Sequence, residues 1–168
     1  VLTKKYHSEG EFHFYLCRLR GSMESSHMDK KKVLLVDDSR LEYAMVQKLL
    51  ADSEFELSAY CHSGADALAL YEHVMPDIVL MDVIMPGMDG LETSRQILQK
   101  WSDARILIVS SMMYDDIIRL AKDIGIKGAA PKPLAKAELI SSMQAALNED
   151  SDEDEIINGT ALYPISID

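Results

Sequence analysis

Cysteine, basic charge and long apolar runs are all scarce in this chain. Its 168 residues include two cysteines, Cys17 and Cys61. That is too few for a disulfide scaffold, so a reducing, cytoplasmic setting is the default. No uninterrupted apolar stretch approaches the roughly 18 residues that a membrane helix needs, and no spanning helix is expected. The N-terminal stretch does not join a basic patch to an apolar core and a small-residue cleavage site, so no secretory signal is expected either. Lys plus Arg number 17 against 28 Asp plus Glu, a formal net charge of −11. A duplex DNA-binding module normally shows a basic face, because phosphate neutralisation supplies most of its affinity, and direct DNA binding by this chain is not expected. A Gly-rich phosphate loop is missing as well, which removes the usual nucleotide cradle.

What is present is ordinary globular material. Hydrophobic residues make up 48% and charged residues 27%, which argues against general disorder and allows one substantial core. The charge is uneven: residues 1–32 carry net +3, residues 33–148 net −7, and residues 149–168 another −7 from seven acids and no base. The acidic excess fits either a solvated surface or carboxylates gathered around a divalent cation. Residues 1–29 stand apart as an N-terminal extension with an aromatic stretch, Phe12 to Leu16, and Met28 close to its end. An upstream extension or misplaced start competes there with a short capping element. The run Asn148–Glu155 reads as a solvated linker, with a docking tail as the alternative, inside an acidic C-terminal tail over 149–168. His7, His13 and Cys17 have no recognised metal spacing, and the sequon Asn158-Gly159-Thr160 is uninformative in a cytoplasmic chain.

Between these ends, short apolar runs alternate with helical periods. Val33–Val36, Ile78–Met81 and Ile106–Val109 are continuous and rich in β-branched residues, as strands covered on both faces should be. Phe55–Cys61 is a weaker strand broken by Glu56 and Ser58, and Lys127–Ala130 a short fifth. Ser39 is expected to cap a helix whose apolar side carries Leu41, Ala44, Met45 and Leu49, with Glu42, Gln47 and Lys48 opposite. Ser63-Gly64 opens a second helix, carrying Ala67, Leu68, Leu70, Tyr71 and Val74, that Pro76 stops. Further helices are predicted over Leu91–Trp101, Met113–Asp123 with Gly125 as terminator, and Lys136–Leu147. Met112 and Met113 are expected to be helix-packing residues. Five strands alternating with five helices predict an α/β doubly wound parallel sheet in residues 30–148.

Ligands of such sheets sit beyond the carboxyl ends of the strands. The first strand runs into Asp37-Asp38, the third into Asp82, the fourth into Ser110-Ser111 and the fifth into Lys132. Three carboxylates brought together repel unless a cation lies among them, and all-oxygen ligation suits Mg²⁺ or Mn²⁺ better than zinc. A lysine and a hydroxyl beside them make a phosphoryl site, since phosphoryl transfer is mostly positioning and charge neutralisation. With no nucleotide cradle, the phosphoryl group is expected on the protein itself.

The segments VLLVDDS, DIVLMDVIMPGMDG, ILIVSS and PKPL resemble the receiver domain of two-component response regulators, across roughly residues 30–148. The resemblance implies a flavodoxin-like sheet of strand order 2-1-3-4-5. It implies Asp82 as phosphoacceptor, and Asp37, Asp38, Asp82 and the backbone carbonyl of Ile84 as the Mg²⁺ site. Ser110 would follow the phosphate, Lys132 would pair with its oxygens, and the Lys132–Pro133 bond would be cis. Implied partners are a sensor histidine kinase or histidine phosphotransfer protein and an unknown downstream protein. A second copy is a further candidate, through the face running from the fourth helix to the fifth strand.

Three departures matter. The switch aromatic of the family falls on Ala129, which has no ring to move. Ile84 and Met112 occupy positions that tune dephosphorylation, and both are apolar, so slow phosphate loss is expected. Pro131 lies in the fifth strand, which suits an edge. Two other readings carry some weight. A Mg²⁺-dependent phosphohydrolase of the haloacid-dehalogenase type needs an Asp two residues after its nucleophile, where this chain has Ile84. A constitutive interaction module is favoured by Ala129 but opposed by the intact acidic pair, acceptor and lysine.

Overall fold

The computed structural model describes residues 30–148. The expectations for the N-terminal extension, His7, His13, Cys17, the Asn158–Thr160 sequon and the acidic tail lie outside them. Ten elements alternate without exception: β1 (Lys31–Val36), α1 (Arg40–Leu50), β2 (Phe55–Cys61), α2 (Gly64–Val74), β3 (Ile78–Asp82), α3 (Gly90–Lys100), β4 (Ile106–Ser110), α4 (Asp115–Ile124), β5 (Gly128–Pro131) and α5 (Lys136–Asn148). The strands pair in parallel in the order β2-β1-β3-β4-β5. The α/β doubly wound arrangement expected from the alternation is therefore the one formed.

Alternate strand residues feed two separate cores. Leu34, Val36, Val79, Met81, Ile106 and Ile108 face α2, α3 and α4. Val33, Leu35, Ile78, Leu80, Leu107 and Val109 face α1 and α5. Strands covered on both sides need apolar residues at every position, which is why β1, β3 and β4 read as continuous runs. β2 lies at the edge, and its Glu56 and Ser58 are half-buried. The β1–β2 register passes from Val33↔Leu57 to Leu34↔Ala59, leaving Ser58 as the bulged residue. β5 is the other edge, where Pro131 pairs with Ser110 and its missing N–H is tolerated.

Side chains cap the helix N-termini at Ser39 and Ser63, as expected, and also at Asp89. Ser39 accepts from the Glu42 N–H at 3.3 Å, Ser63 from Asp66 at 3.2 Å and Asp89 from Glu92 at 2.8 Å. Gly125, at φ +95°, ends α4 by donating to the Ala121 and Lys122 carbonyls.

Two expectations are corrected. On α1, Leu41 and Ala44 of the expected apolar stripe are exposed and Met45 is half-buried, while Leu49 packs on the core together with Tyr43, Val46 and Leu50. α4 begins at Asp115 rather than Met113, so Met112 belongs to the β4–α4 loop and is 41% exposed, while Met113 packs against the core.

Candidate functional site

Parallel strands bring their carboxyl ends to one rim, and β3 lies between β1 and β4. Asp37 follows β1, Asp82 ends β3, Ser110 ends β4, and Lys132 follows the edge strand β5. The backbone fixes each of them. The Asp37 N–H donates to the Cys61 carbonyl at 3.1 Å, and the Lys132 N–H donates to the Ser110 carbonyl at 2.9 Å. Asp37 is 1% exposed and Asp82 7%, depths at which an unpaired carboxylate is costly.

The partners that offset that cost are local. Asp37 Oδ1 accepts from the Ser39 N–H at 2.8 Å, and its Oδ2 accepts from Lys132 Nζ at 2.7 Å. The same ammonium lies 3.4 Å from Asp82 Oδ2, and the Ile84 N–H approaches Asp82 Oδ1 at 3.4 Å. Carboxylate oxygens of Asp37, Asp38 and Asp82 all lie within 4.8 Å of one another, with Asp38 exposed to solvent. One ammonium facing three carboxylates leaves net negative charge. An all-oxygen donor set of that kind fits a hard divalent cation such as Mg²⁺ or Mn²⁺ and does not fit zinc.

The electrostatics carry the same imprint. Burial raises the Asp82 carboxyl above its ordinary range; the Lys132 charge pulls it down and the Asp37 charge pushes it up, and the net is upward. For Lys132, burial works against the charged form. It is outweighed by the hydrogen bond and charge of Asp37 and the charges of Asp82 and Glu42, so the ammonium is held more firmly than usual. Burial pushes the Tyr60 phenol up to about 12, with the charges of Asp37 and Asp38 adding to it.

Around this cluster, Ser110 is fully buried and its Oγ accepts from the Met112 N–H at 3.1 Å. Ile84 is 50% and Met112 41% exposed. Ala129 is buried against the α4 side of the sheet, and the Lys132–Pro133 peptide is cis.

Comparison with known proteins gives this geometry a family. The description of the response regulator receiver domain matches residues 33–144. This chain belongs to that family. As a receiver it is similar to the chemotaxis protein CheY of Listeria monocytogenes, 34% identical over 115 residues, which span 68% of this chain and 97% of the relative. The transcriptional regulatory protein LiaR of Bacillus subtilis is 30% identical over 68% of this chain and 55% of its own length. Among solved structures, a LuxR-family two-component response regulator from Aurantimonas matches with a TM-score of 0.67 at 30% identity, covering 71% of this chain and 86% of that one. A CheX–CheY–BeF3–Mg complex from Borrelia burgdorferi matches at 0.66 and 25% identity, covering 68% and 87%.

Two contributors to the receiver pocket escape sequence reasoning. Gly90 opens α3 directly against Asp82: a Cβ placed there would lie 1.9 Å from the Asp82 carbonyl oxygen. The dipeptide Asp89-Gly90 reads as turn chemistry, and nothing local reveals that the Asp82 main chain fills the missing side chain's place. Glu42 was assigned to the outer side of α1, yet its Oε2 is buried.

Proposed function

We propose that this receiver, residues 30–148, is a phosphoacceptor module of two-component signalling in the cytoplasm. The observation that carries the proposal is the Lys132 ammonium set between Asp37 at 2.7 Å and Asp82 at 3.4 Å. It leaves Asp82 near a fixed positive charge and beside carboxylates suited to a cation. The Asp82 carboxylate attacks phosphorus of a phosphohistidine on a sensor kinase or phosphotransfer protein. The P–N bond breaks with its electron pair going to the imidazole, and the acyl phosphate stays on Asp82. Lys132 neutralises the arriving phosphoryl oxygens, and Ser110 Oγ, which accepts from Met112 at 3.1 Å, is placed to exchange that bond for one donated to phosphate. Asp37, Asp38, Asp82 and the Ile84 carbonyl would hold Mg²⁺ or Mn²⁺, which supplies further charge neutralisation. The output is altered binding of a downstream protein or a second copy through the α4–β5 face. Ala129 offers no ring to report the change, so the report falls to the main chain and Ser110.

Incubation with Mg²⁺ and acetyl phosphate tests the proposal by intact mass. The P–O bond to acetate breaks, and one phosphoryl group is expected on the parent and none on Asp82→Asn. An unmodified parent would leave the constitutive interaction module as the better reading. Ile84 and Met112, half-exposed at the mouth, are proposed to hinder the water that hydrolyses the acyl phosphate. Ile84→Asn with Met112→Glu is expected to shorten the phosphoryl lifetime about tenfold; an unchanged decay rate refutes the role.

A further inference from the structure

Each of the first four helices carries a basic residue in its last turn: Lys48, His73, Lys100 and Lys122. The negative end of a helix dipole favours such a residue. α5 carries none, and the sequence beyond Asn148 adds negative charge instead. Residues 149–155 hold six acids, and no base follows as far as residue 168. Cations stand close by, at the start of β1. One turn before the end of α5, Gln144 donates to the Glu54 carboxylate at 2.5 Å, and the Glu54 carbonyl accepts from the Lys31 N–H at 2.8 Å. Lys30, Lys31 and Lys32 are all exposed. Lys31 pairs with Asp77 at 3.5 Å, and Asp77 also accepts from the Lys32 main-chain N–H at 2.6 Å. The Lys30 and Lys32 ammonium groups have no ion pair among the described residues, and Glu56, next to Lys32 in the register, is half-buried.

We propose that the acidic run 149–155 docks on Lys30–Lys32, so that the segment following α5 straps the start of β1. Charge complementarity supports the occupant, and so does the short path to it. Seven residues reach about 23 Å when extended, and a tether of that length holds the run at roughly millimolar effective concentration. The carboxyl rim, where Asp37, Asp38 and Asp82 gather, repels the same run. Single exposed ion pairs contribute little, so the strap depends on several acting together and loosens as salt screens them. It stands apart from the acceptor reading of Asp82, and neither needs the other.

The experiment uses the full chain with a nitroxide on Ile157→Cys in a Cys17→Ser background; Cys61 is buried and stays unlabelled. The amide signals of Lys31, Lys32 and Asp77 are expected to lose about half their intensity at about 20 mM NaCl and to regain it at about 500 mM. Lys30→Glu with Lys32→Glu is expected to abolish the loss at low salt. Arg119→Glu with Lys122→Glu, the same change of charge placed on α4, is expected to leave it intact. No loss at low salt overturns the strap, as does a loss that survives high salt or the lysine variant. If the α4 variant abolishes the loss equally, net charge rather than docking is the cause, and the proposal fails. Intensity loss in an isotope-labelled chain mixed with a separate spin-labelled chain places the contact between copies and overturns it as well.

Discussion

The middle of the sheet and its carboxyl rim are equally buried and chemically opposite. Val33–Val36 in β1, Ile78–Met81 in β3 and Ile106–Ile108 in β4 are all fully buried. One or two residues further along the same strands, Asp37, Asp82 and Ser110 are 1%, 7% and 0% exposed. In the middle, the parallel ladder satisfies the backbone, and the side chains ask only for neighbours of the right shape. At the rim each buried polar atom needs a named partner: the Ser39 N–H and Lys132 for Asp37, the Met112 N–H for Ser110. The middle therefore supplies stability without chemistry. The rim holds chemistry whose cost the middle must carry.

That division can be broken from either side. The largest effect is expected in the middle: Leu80→Ala leaves a cavity under α1 and α5 and costs about 3 kcal/mol by urea unfolding. Under native conditions its Mg²⁺ affinity should stay that of the parent; a parallel loss of affinity would show that the two regions are not separable. At the rim, Lys132→Met strips the partner from a carboxylate that is 1% exposed and is expected to cost about 2 kcal/mol in metal-free buffer. Added Mg²⁺ should restore much of that loss, since a cation replaces the missing charge. A deficit that Mg²⁺ leaves untouched would assign Lys132 to packing.

The smallest effect has the opposite sign. The Asp82 carboxyl is raised in the folded state, by burial first, then by Asp37 against the pull of Lys132. The folded protein therefore binds that proton more tightly than the unfolded chain does. Its ionised form opposes folding above the raised value, and the penalty fades as pH falls through it towards the ordinary carboxylate range. Asp82→Asn should accordingly be slightly more stable than the parent near neutral pH without metal. The gap should close as pH is lowered, in thermal scans from pH 7 to 4; a gap that widens on acidification would contradict the assignment.

Legibility in the sequence follows the same line. β1, β3 and β4 were readable to within two residues because burial on both faces forces unbroken apolar runs. Asp37, Asp38, Asp82, Ser110 and Lys132 were readable as a group because parallel strands must deliver their carboxyl ends to one rim. Where an element leaves the sheet, periodicity stops reporting burial. Leu41 and Ala44 look like core residues and face solvent, while Glu42 looks external and has a buried oxygen. Gly90 fails for another reason: its partner is a backbone atom, and backbone atoms leave no trace in residue type.

The contact between Gly90 and the Asp82 carbonyl also divides the molecule mechanically. With Cβ space there closed to 1.9 Å, Thr93 and Ser94 both fully buried and Asp89 capping the turn at 2.8 Å, the Asp82 peptide and the start of α3 are packed tightly together. Across the pocket, Tyr114 at the N-cap of α4 makes no side-chain cap hydrogen bond, behind a loop where Met112 and Tyr114 are exposed. The β4–α4 loop, with its exposed side chains and no side-chain cap at the helix behind it, is the less constrained side of the pocket.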